Sequence, residues 1–252
     1  TTMCPWPSTP SCIPAPAPGD IHVWQASLVQ PASLLQGLEQ VLSPDECGRA
    51  SRFRRDTIRH RFIVARGVLR HILGRYVSRT PQDIVFQYAE YGKPELGPPD
   101  MTLQFNVSHS HDLALYAFTR NHSIGVDIEY LNRRSVMDRM KIARRFFSDM
   151  EYDALCALPQ SKQDRAFLAC WTRKEAFIKA IGQGLSCPLD QFDVTVDPDR
   201  SAALLSTRWD AAEAARWTMV TLDPGGDYIG ALAVEREYKQ VQYWTWHDKV
   251  MR

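Results

Sequence analysis

The stretch Ser123-Ile124-Gly125-Val126-Asp127-Ile128-Glu129-Tyr130 reads as a strand. Side chains alternate along it, so Asp127 and Glu129 point to one side while Val126 and Ile128 point to the other. Short strands precede it at 84–88, 103–107 and 113–118. Thr119 to His122 reads as a turn, which predicts an antiparallel hairpin between 113–118 and 123–130. Further upstream, Ser43-Pro44-Asp45-Glu46 is a capping signature with Pro at the first helical position. Helical spacing of Phe53, Phe62, Ile63, Val68, Leu69, Ile72 and Leu73 carries that helix to about Tyr76, with at most one break. An opening strand is expected at 21–28. Downstream the pattern changes to helices at 136–147, 150–158 and 162–181, the last ended by Gly182 and Gly184. Strands then return at 192–196, 217–222, 228–234 and 241–244. Helix followed by strands occurs twice, which predicts an α+β protein of two halves, 20–130 and 131–252, dividing near Tyr130.

Residues 1–19 hold six prolines, each removing a backbone donor, so they are expected to form an extended arm. The 252 residues are 44% hydrophobic and 23% charged, enough apolar surface for a sizeable core. A net charge of +1 makes no case for nucleic acid or an acidic membrane as partner. No apolar run approaches the roughly 18 residues of a membrane span. The six cysteines include no CxxC pair, and the start shows no secretory pattern, so reduced thiols in a cytoplasmic setting are expected.

Two carboxylates about 6 to 7 Å apart on one strand face repel each other unless something neutralises them. Asp127 and Glu129 therefore fit either a shared ion, for which the hard oxygen-seeking Mg²⁺ is suited, or the plain polar face of an edge strand. Trp171-Thr172-Arg173-Lys174-Glu175-Ala176-Phe177-Ile178-Lys179-Ala180-Ile181-Gly182-Gln183-Gly184-Leu185 is a second constellation. Glu175 and Lys179 lie four apart on one helix face. They are either a surface ion pair or a third carboxylate beside a phosphate-binding cation. Seven arginines (Arg49, Arg52, Arg54, Arg55, Arg59, Arg61, Arg66) fall within eighteen residues. They are spread around a helix, so one or two are expected to face a pocket, without a continuous nucleic-acid stripe. Asn106-Val107-Ser108-His109-Ser110-His111 leads from a strand into a turn and suits a phosphate, a base or an ordinary polar loop. Tyr91-Gly92-Lys93-Pro94 is a turn carrying a lysine. Carboxylates, cations and a polar turn together match a Mg²⁺-assisted reaction on a polyphosphate.

Over about 44–190 the chain resembles the 4'-phosphopantetheinyl transferases, in particular the broad-specificity class represented by the surfactin synthetase activator. The resemblance lies in an ordered set: the arginine-rich helix through Phe53 and His60-Arg61, Tyr91 to Pro94, Phe105 to Ser110, Gly125 to Glu129, Arg145-Phe146-Phe147, and Trp171 to Leu185. It implies a monomer of two similar α+β halves in pseudo-twofold arrangement, each a helix on a mainly antiparallel sheet, with coenzyme A in the cleft between them. It further implies transfer of the 4'-phosphopantetheine arm of coenzyme A to a serine of an acyl, peptidyl or aryl carrier protein, releasing adenosine 3',5'-bisphosphate. Fatty-acid, polyketide and nonribosomal peptide systems all supply such carriers.

By the resemblance, Asp127, Glu129 and Glu175 are the Mg²⁺ carboxylates, and Lys179 contacts the pyrophosphate with Lys174 near the same cleft. Ser108 and His109 bind nucleotide phosphates, and Arg49, Arg61 and Lys93 hold the 3'-phosphate end. Gly92 allows close backbone approach to the adenosine. Glu175 is the expected base and Lys179 the charge-stabilising catalytic residue. Family members use basic positions before Arg49, where this chain has Glu46. Arg144 to Phe147 is a candidate carrier-docking segment, although Phe146 and Phe147 also suit a helix's core flank. The competing readings are another Mg²⁺-dependent phosphoryl or nucleotidyl enzyme, and an arginine-helix module binding RNA or protein.

Overall fold

The computed structural model describes residues 6–8, 13–131 and 139–248. Eleven strands and six α-helices are seen among them. A four-stranded sheet has the order β11 (Gln240–Thr245), β1 (Asp20–Ser27), β5 (Leu113–Arg120), β4 (Leu103–Ser110). A three-stranded sheet has the order β6 (Ile124–Tyr130), β10 (Tyr228–Glu235), β9 (Trp217–Leu222). Every pairing in these sheets is antiparallel except β1 with β11.

The period-2 alternation of the strands sorts their side chains into three apolar layers. Trp24, Ala26, Ala114, Tyr116 and Phe118 pack under Ile63, Val64, Val68, Leu69 and Ile72 of the long helix α3 (Asp56–Val77). The intervening Ile21, Val23, Leu115 and Ala117 meet Val126, Ile128, Leu232 and Val234, joining the sheets face to face. On the far face of the second sheet, Met219, Ile229, Ala231 and Ala233 pack against Ala176, Phe177 and Ile178 of the long helix α6 (Gln160–Ala180). The layers therefore run helix, sheet, sheet, helix: an α+β fold of two long helices, each on a mainly antiparallel sheet. The sheets do not divide at Tyr130, because β6 joins the second sheet and β11 returns to the first. Because both faces are covered, β5 is buried at six consecutive positions and reads as a continuous apolar run rather than an alternation.

The second half repeats a local device of the first. Helix α2 (Pro44–Ala50) opens with the Ser43 N–H donated to Glu46 Oε2 (3.1 Å), and the buried Glu46 then pairs with Arg70 of α3 at 2.6 Å. Helix α5 (Asp149–Ala157) opens with the Ser148 N–H donated to Glu151 Oε2 (3.0 Å), and the buried Glu151 pairs with Lys174 of α6 at 2.8 Å. A capping glutamate thus pins the long helix in each half.

The expected hairpin between 113–118 and 123–130 does not form. Both edges of β5 are taken, one by β1 and the other by β4, so β6 crosses to the second sheet and pairs with β10. The expected helix from Ser43 to Tyr76 is α2 and α3, broken once at 51–55. Three elements were not expected: α1 (Ala32–Glu39), β3 (Pro94–Leu96), which pairs with β2 (Phe86–Tyr88), and β8 (Leu204–Thr207), which pairs with β7 (Phe192–Val194). The expected helix at 136–147 is α4 (Arg139–Phe146), its first residues lying outside the described ones. In the described part of the arm, Trp6 is buried and donates its ring N–H to Asp223 O at 3.0 Å. Among the described residues no helix is long and apolar enough to cross a membrane.

Candidate active site

Strand β6 and helix α6 touch through a glycine. A Cβ placed on Gly125 would stand 2.1 Å from Ala176 O and 2.4 Å from Ala180 N, so only glycine lets the helix backbone lie this close. This contact holds the faces of Asp127 and Glu129 against the α6 turn carrying Glu175 and Lys179. Lys179 Nζ donates to Asp127 Oδ1 at 2.6 Å and to Ser108 Oγ at 3.0 Å. The expected alternative, a Glu175–Lys179 surface pair, is not what the helix makes; Lys179 pairs with Asp127.

Alternate residues of β4 brace β6 from its other side. Asn106 Oδ1 accepts the Val126 N–H (2.9 Å), Ser108 Oγ donates to Asp127 Oδ1 (2.8 Å), and Ser110 Oγ donates to Glu129 Oε2 (2.9 Å). The N-x-S-x-S spacing thus reads β6 one residue pair at a time. The signal for Asn106 in the sequence is its period-2 relation to Ser108 and Ser110.

The three carboxylates act on one another's ionisation. Burial, then the Asp127 and Glu129 charges, push Glu175 up from 4.5 to about 7, with Lys179 opposing. Glu129 is also raised, first by burial and next by Asp127, against the Ser110 hydrogen bond. Asp127 Oδ2 is buried with no hydrogen-bond partner among the described residues. As they stand, no three His, Cys, Asp or Glu side chains among the described residues are grouped closely enough to hold an ion. The donor set nonetheless fits a hard divalent cation: all-oxygen ligands, an orphaned buried oxygen, and two neighbours that resist ionising without added positive charge.

A cleft of about 320 Å³ adjoins this cluster at Lys179 and His109. Its walls include Arg49, Phe62 and Arg66 of the α2–α3 region, Tyr91, Gly92 and Lys93 of the β2–β3 turn, and Gly182 and Gly184 after α6. Gly92 takes φ +81°, and a Cβ there would meet nothing within 4 Å. Lys93 Nζ reaches Ile124 O (3.3 Å) and Ala180 O (3.5 Å), and burial lowers its pKa. The His109 side chain is surface-accessible yet hemmed in, and its pKa is lowered first by burial and then by Lys179. Both effects favour a neutral imidazole.

Two sequence-predicted residues sit elsewhere. Lys174 is not near the cleft: its Nζ is fully buried, paired with Glu151 and donating to Leu189 O and Phe192 O at 2.6 Å each. One residue along a helix turns the side chain by about 100°, which sends Lys174 into the core while Glu175 faces β6. Arg61 does not line the cleft; it pairs with Asp112 at the β4–β5 tip. Of the seven clustered arginines, Arg49 and Arg66 do line it. Composition alone does not set Arg66 apart from the rest of the cluster.

Residues 123–233 match the model of the 4'-phosphopantetheinyl transferase superfamily, and residues 23–121 match that of the 4'-phosphopantetheinyl transferase N-terminal region. The chain is 38% identical over 227 residues to the 4'-phosphopantetheinyl transferase HetI of Nostoc sp., covering 89% of this chain and 92% of that protein. It is 36% identical over 164 residues to the 4'-phosphopantetheinyl transferase Sfp of Bacillus subtilis, covering 65% and 70%. Among solved structures, a holo-(acyl-carrier-protein) synthase from Bacillus anthracis in complex with CoA (3',5'-ADP) aligns over 46% of this chain and 96% of that one, with 22% identity and TM-score 0.35.

Proposed function

Since the chain belongs to the 4'-phosphopantetheinyl transferase superfamily, we propose that it moves the 4'-phosphopantetheine arm of coenzyme A to a serine hydroxyl of a carrier protein, with Mg²⁺ as cofactor. The observation that carries the Mg²⁺-dependent reading is the meeting of β6 and α6, which brings Asp127, Glu129 and Glu175 within electrostatic reach of one another and of Lys179, beside a cationic cleft.

Asp127, Glu129 and Glu175 would hold Mg²⁺, which when bound offsets the charge of a diphosphate and of the leaving group. Lys179 is already seated on Asp127 Oδ1 and brings an ammonium to the cleft wall, where it stabilises the charge developing on the departing adenosine 3',5'-bisphosphate. Ser108 fixes both partners by donating to Asp127 and accepting from Lys179. Neutral His109, Arg49 and Lys93 line the path of the nucleotide phosphates. Glu175, the half-buried carboxylate of α6, accepts the proton of the attacking serine hydroxyl.

The carrier reaches this site past α4. There Phe147 is buried and stacked on Phe167, whereas Phe146 is 36% exposed with Arg145 over its ring. Arg144 is exposed, donates to the surface Asp149 at 3.1 Å and lies over the Tyr152 ring. An apolar ring under Arg145, with the exposed Arg144 on the same helix, suits an acidic carrier helix. The setting we assign is a monomer in the cytoplasm. Carriers of fatty-acid, polyketide and nonribosomal peptide assembly are all eligible acceptors. Incubation with coenzyme A, Mg²⁺ and a panel of apo carriers, read by intact mass, tests the reading. A phosphopantetheine mass gain on at least one carrier, lost in Asp127→Ala, supports it. No gain on any carrier, or full activity in Asp127→Ala, refutes it.

A further inference from the structure

Arg66 has a setting that the folding scheme does not use up. Its side chain is only 12% exposed, yet it opens on the cleft. Beneath it lies Glu46, one carboxylate serving two guanidinium groups. Arg70 takes Glu46 Oε2 at 2.6 Å and donates its remaining reach to Pro81 O and Ile84 O, so it is consumed structurally. Arg66 Nε stands 3.4 Å from Glu46 Oε1, an ion-pair distance too long for a good hydrogen bond, and Oε1 has no hydrogen-bond partner among the described residues. Two cations on one anion leave one positive charge over, and it falls on the arginine whose donors face the cleft.

That guanidinium is also held in place. It lies 5.1 Å over the Phe86 ring, and its Nη2 is 3.3 Å from the Tyr88 hydroxyl. Phe86 and Tyr88 belong to β2, which leads into the Tyr91–Lys93 turn of the same cleft. A fork fixed by ring stacking, with unused donors and uncompensated charge, is a ready-made phosphate contact. The diphosphate is claimed by Lys179 and the carboxylate cluster, which leaves the second phosphate of the nucleotide for the α3 wall.

We propose that Arg66 is the residue by which this enzyme selects the 3'-phosphate of coenzyme A. Glu46, lying where a basic residue was expected from the resemblance, serves as the buried counter-ion that orients it. The charge has moved from the first turn of α2 to the cleft face of α3. This inference rests on the transferase reading given above and names the residue that sets its nucleotide specificity.

The test compares the original chain, Arg66→Gln and Arg66→Lys. KM and kcat are measured with coenzyme A and with dephospho-coenzyme A on one apo carrier. Calorimetry measures affinity for adenosine 3',5'-bisphosphate and for adenosine 5'-phosphate. Arg66→Gln is expected to raise KM for coenzyme A roughly tenfold or more, the scale of a lost charge-assisted contact. KM for dephospho-coenzyme A and both kcat values should stay within about twofold. Affinity for the bisphosphate falls in parallel and that for the 5'-phosphate does not; Arg66→Lys, which keeps the charge but loses the fork, falls between. An unchanged ratio of the two KM values in Arg66→Gln overturns the proposal. If that variant does not fold, bisphosphate affinity in Arg66→Lys equal to that of the original chain overturns it instead. An original chain that modifies no carrier refutes the transferase reading, while Arg66-dependent bisphosphate binding in that same chain still supports the role of Arg66.

Discussion

Replacing Glu175 by Gln removes one of three interacting charges while keeping the side chain's shape, and its burial beside two other carboxylates sets the sign of the effect. In the metal-free protein Glu175 is raised from 4.5 to about 7, chiefly by burial and then by Asp127 and Glu129. A carboxyl that holds its proton more tightly folded than unfolded favours the fold fully below pH 4.5. That contribution is lost as pH rises through about 7. At about 1.4 kcal/mol per tenfold in proton affinity, ionising Glu175 costs the fold about 3 kcal/mol at pH 8. Partial solvent access reduces this to about 1 to 2 kcal/mol. Without divalent ions, Glu175→Gln should therefore melt roughly 2 to 8 °C higher than the original chain at pH 8. At pH 4 the two should melt together. Adding Mg²⁺ at pH 8 should raise the melting point of the original chain and raise that of the variant less. Differential scanning fluorimetry at the two pH values, with and without Mg²⁺, reads all four conditions. A variant no more stable at pH 8, or equal Mg²⁺ shifts in both proteins, would refute the reasoning.

Lys174 and Lys179 lie five residues apart and should fail differently. Lys174→Met strands the fully buried Glu151 and should cost about 3 to 5 kcal/mol in urea unfolding. Lys179→Ala should fold and bind carrier normally, yet lose on the order of a hundredfold in transfer rate. Gly125→Ala forces a methyl into the α6 backbone at Ala176 and Ala180, so at least about 3 kcal/mol of stability should be lost by the same assay. Buried His22, bonded to the Tyr76 hydroxyl at 2.7 Å, is lowered to about 4. Its contribution should thus fall as pH drops from 6.5 toward 4, by about 2 kcal/mol at pH 5, and His71, also lowered to about 4 by burial, adds a loss over the same range. His22→Gln should make that part of the pH profile shallower by the His22 share.

The parts of this molecule that follow local rules were readable from the chain. Ser43-Pro44-Asp45-Glu46 marked the start of α2, and the period-2 pattern of 123–130 put Asp127 and Glu129 on one face. What eluded reading was decided by tertiary neighbours. The pairing of β6 depends on both edges of β5 being occupied, which no turn signal at 119–122 can report. Lys174 and Glu175 are adjacent, and only the packing of α6 says which enters the core. A clue was nonetheless present, because Ser148-x-x-Glu151 repeats the Ser43-x-x-Glu46 device and calls for a buried cation on the following long helix, as Arg70 provides in the first half. Arg61 and Arg66 were indistinguishable by composition. The first is drawn to Asp112 at a hairpin tip, and the second is set by Glu46 and Phe86. The short β3 and β8 carry too few residues for their periodicity to be seen.

The most direct measurement is a crystal structure of the protein with coenzyme A and Mn²⁺ in place of Mg²⁺, using the anomalous signal of the metal. The account predicts a single peak at about 2.1 Å from oxygens of Asp127, Glu129, Glu175 and the diphosphate, with Lys179 still beside Asp127. A metal bound away from these side chains, or a diphosphate seated outside the cleft of Arg49, Lys93 and His109, would contradict it.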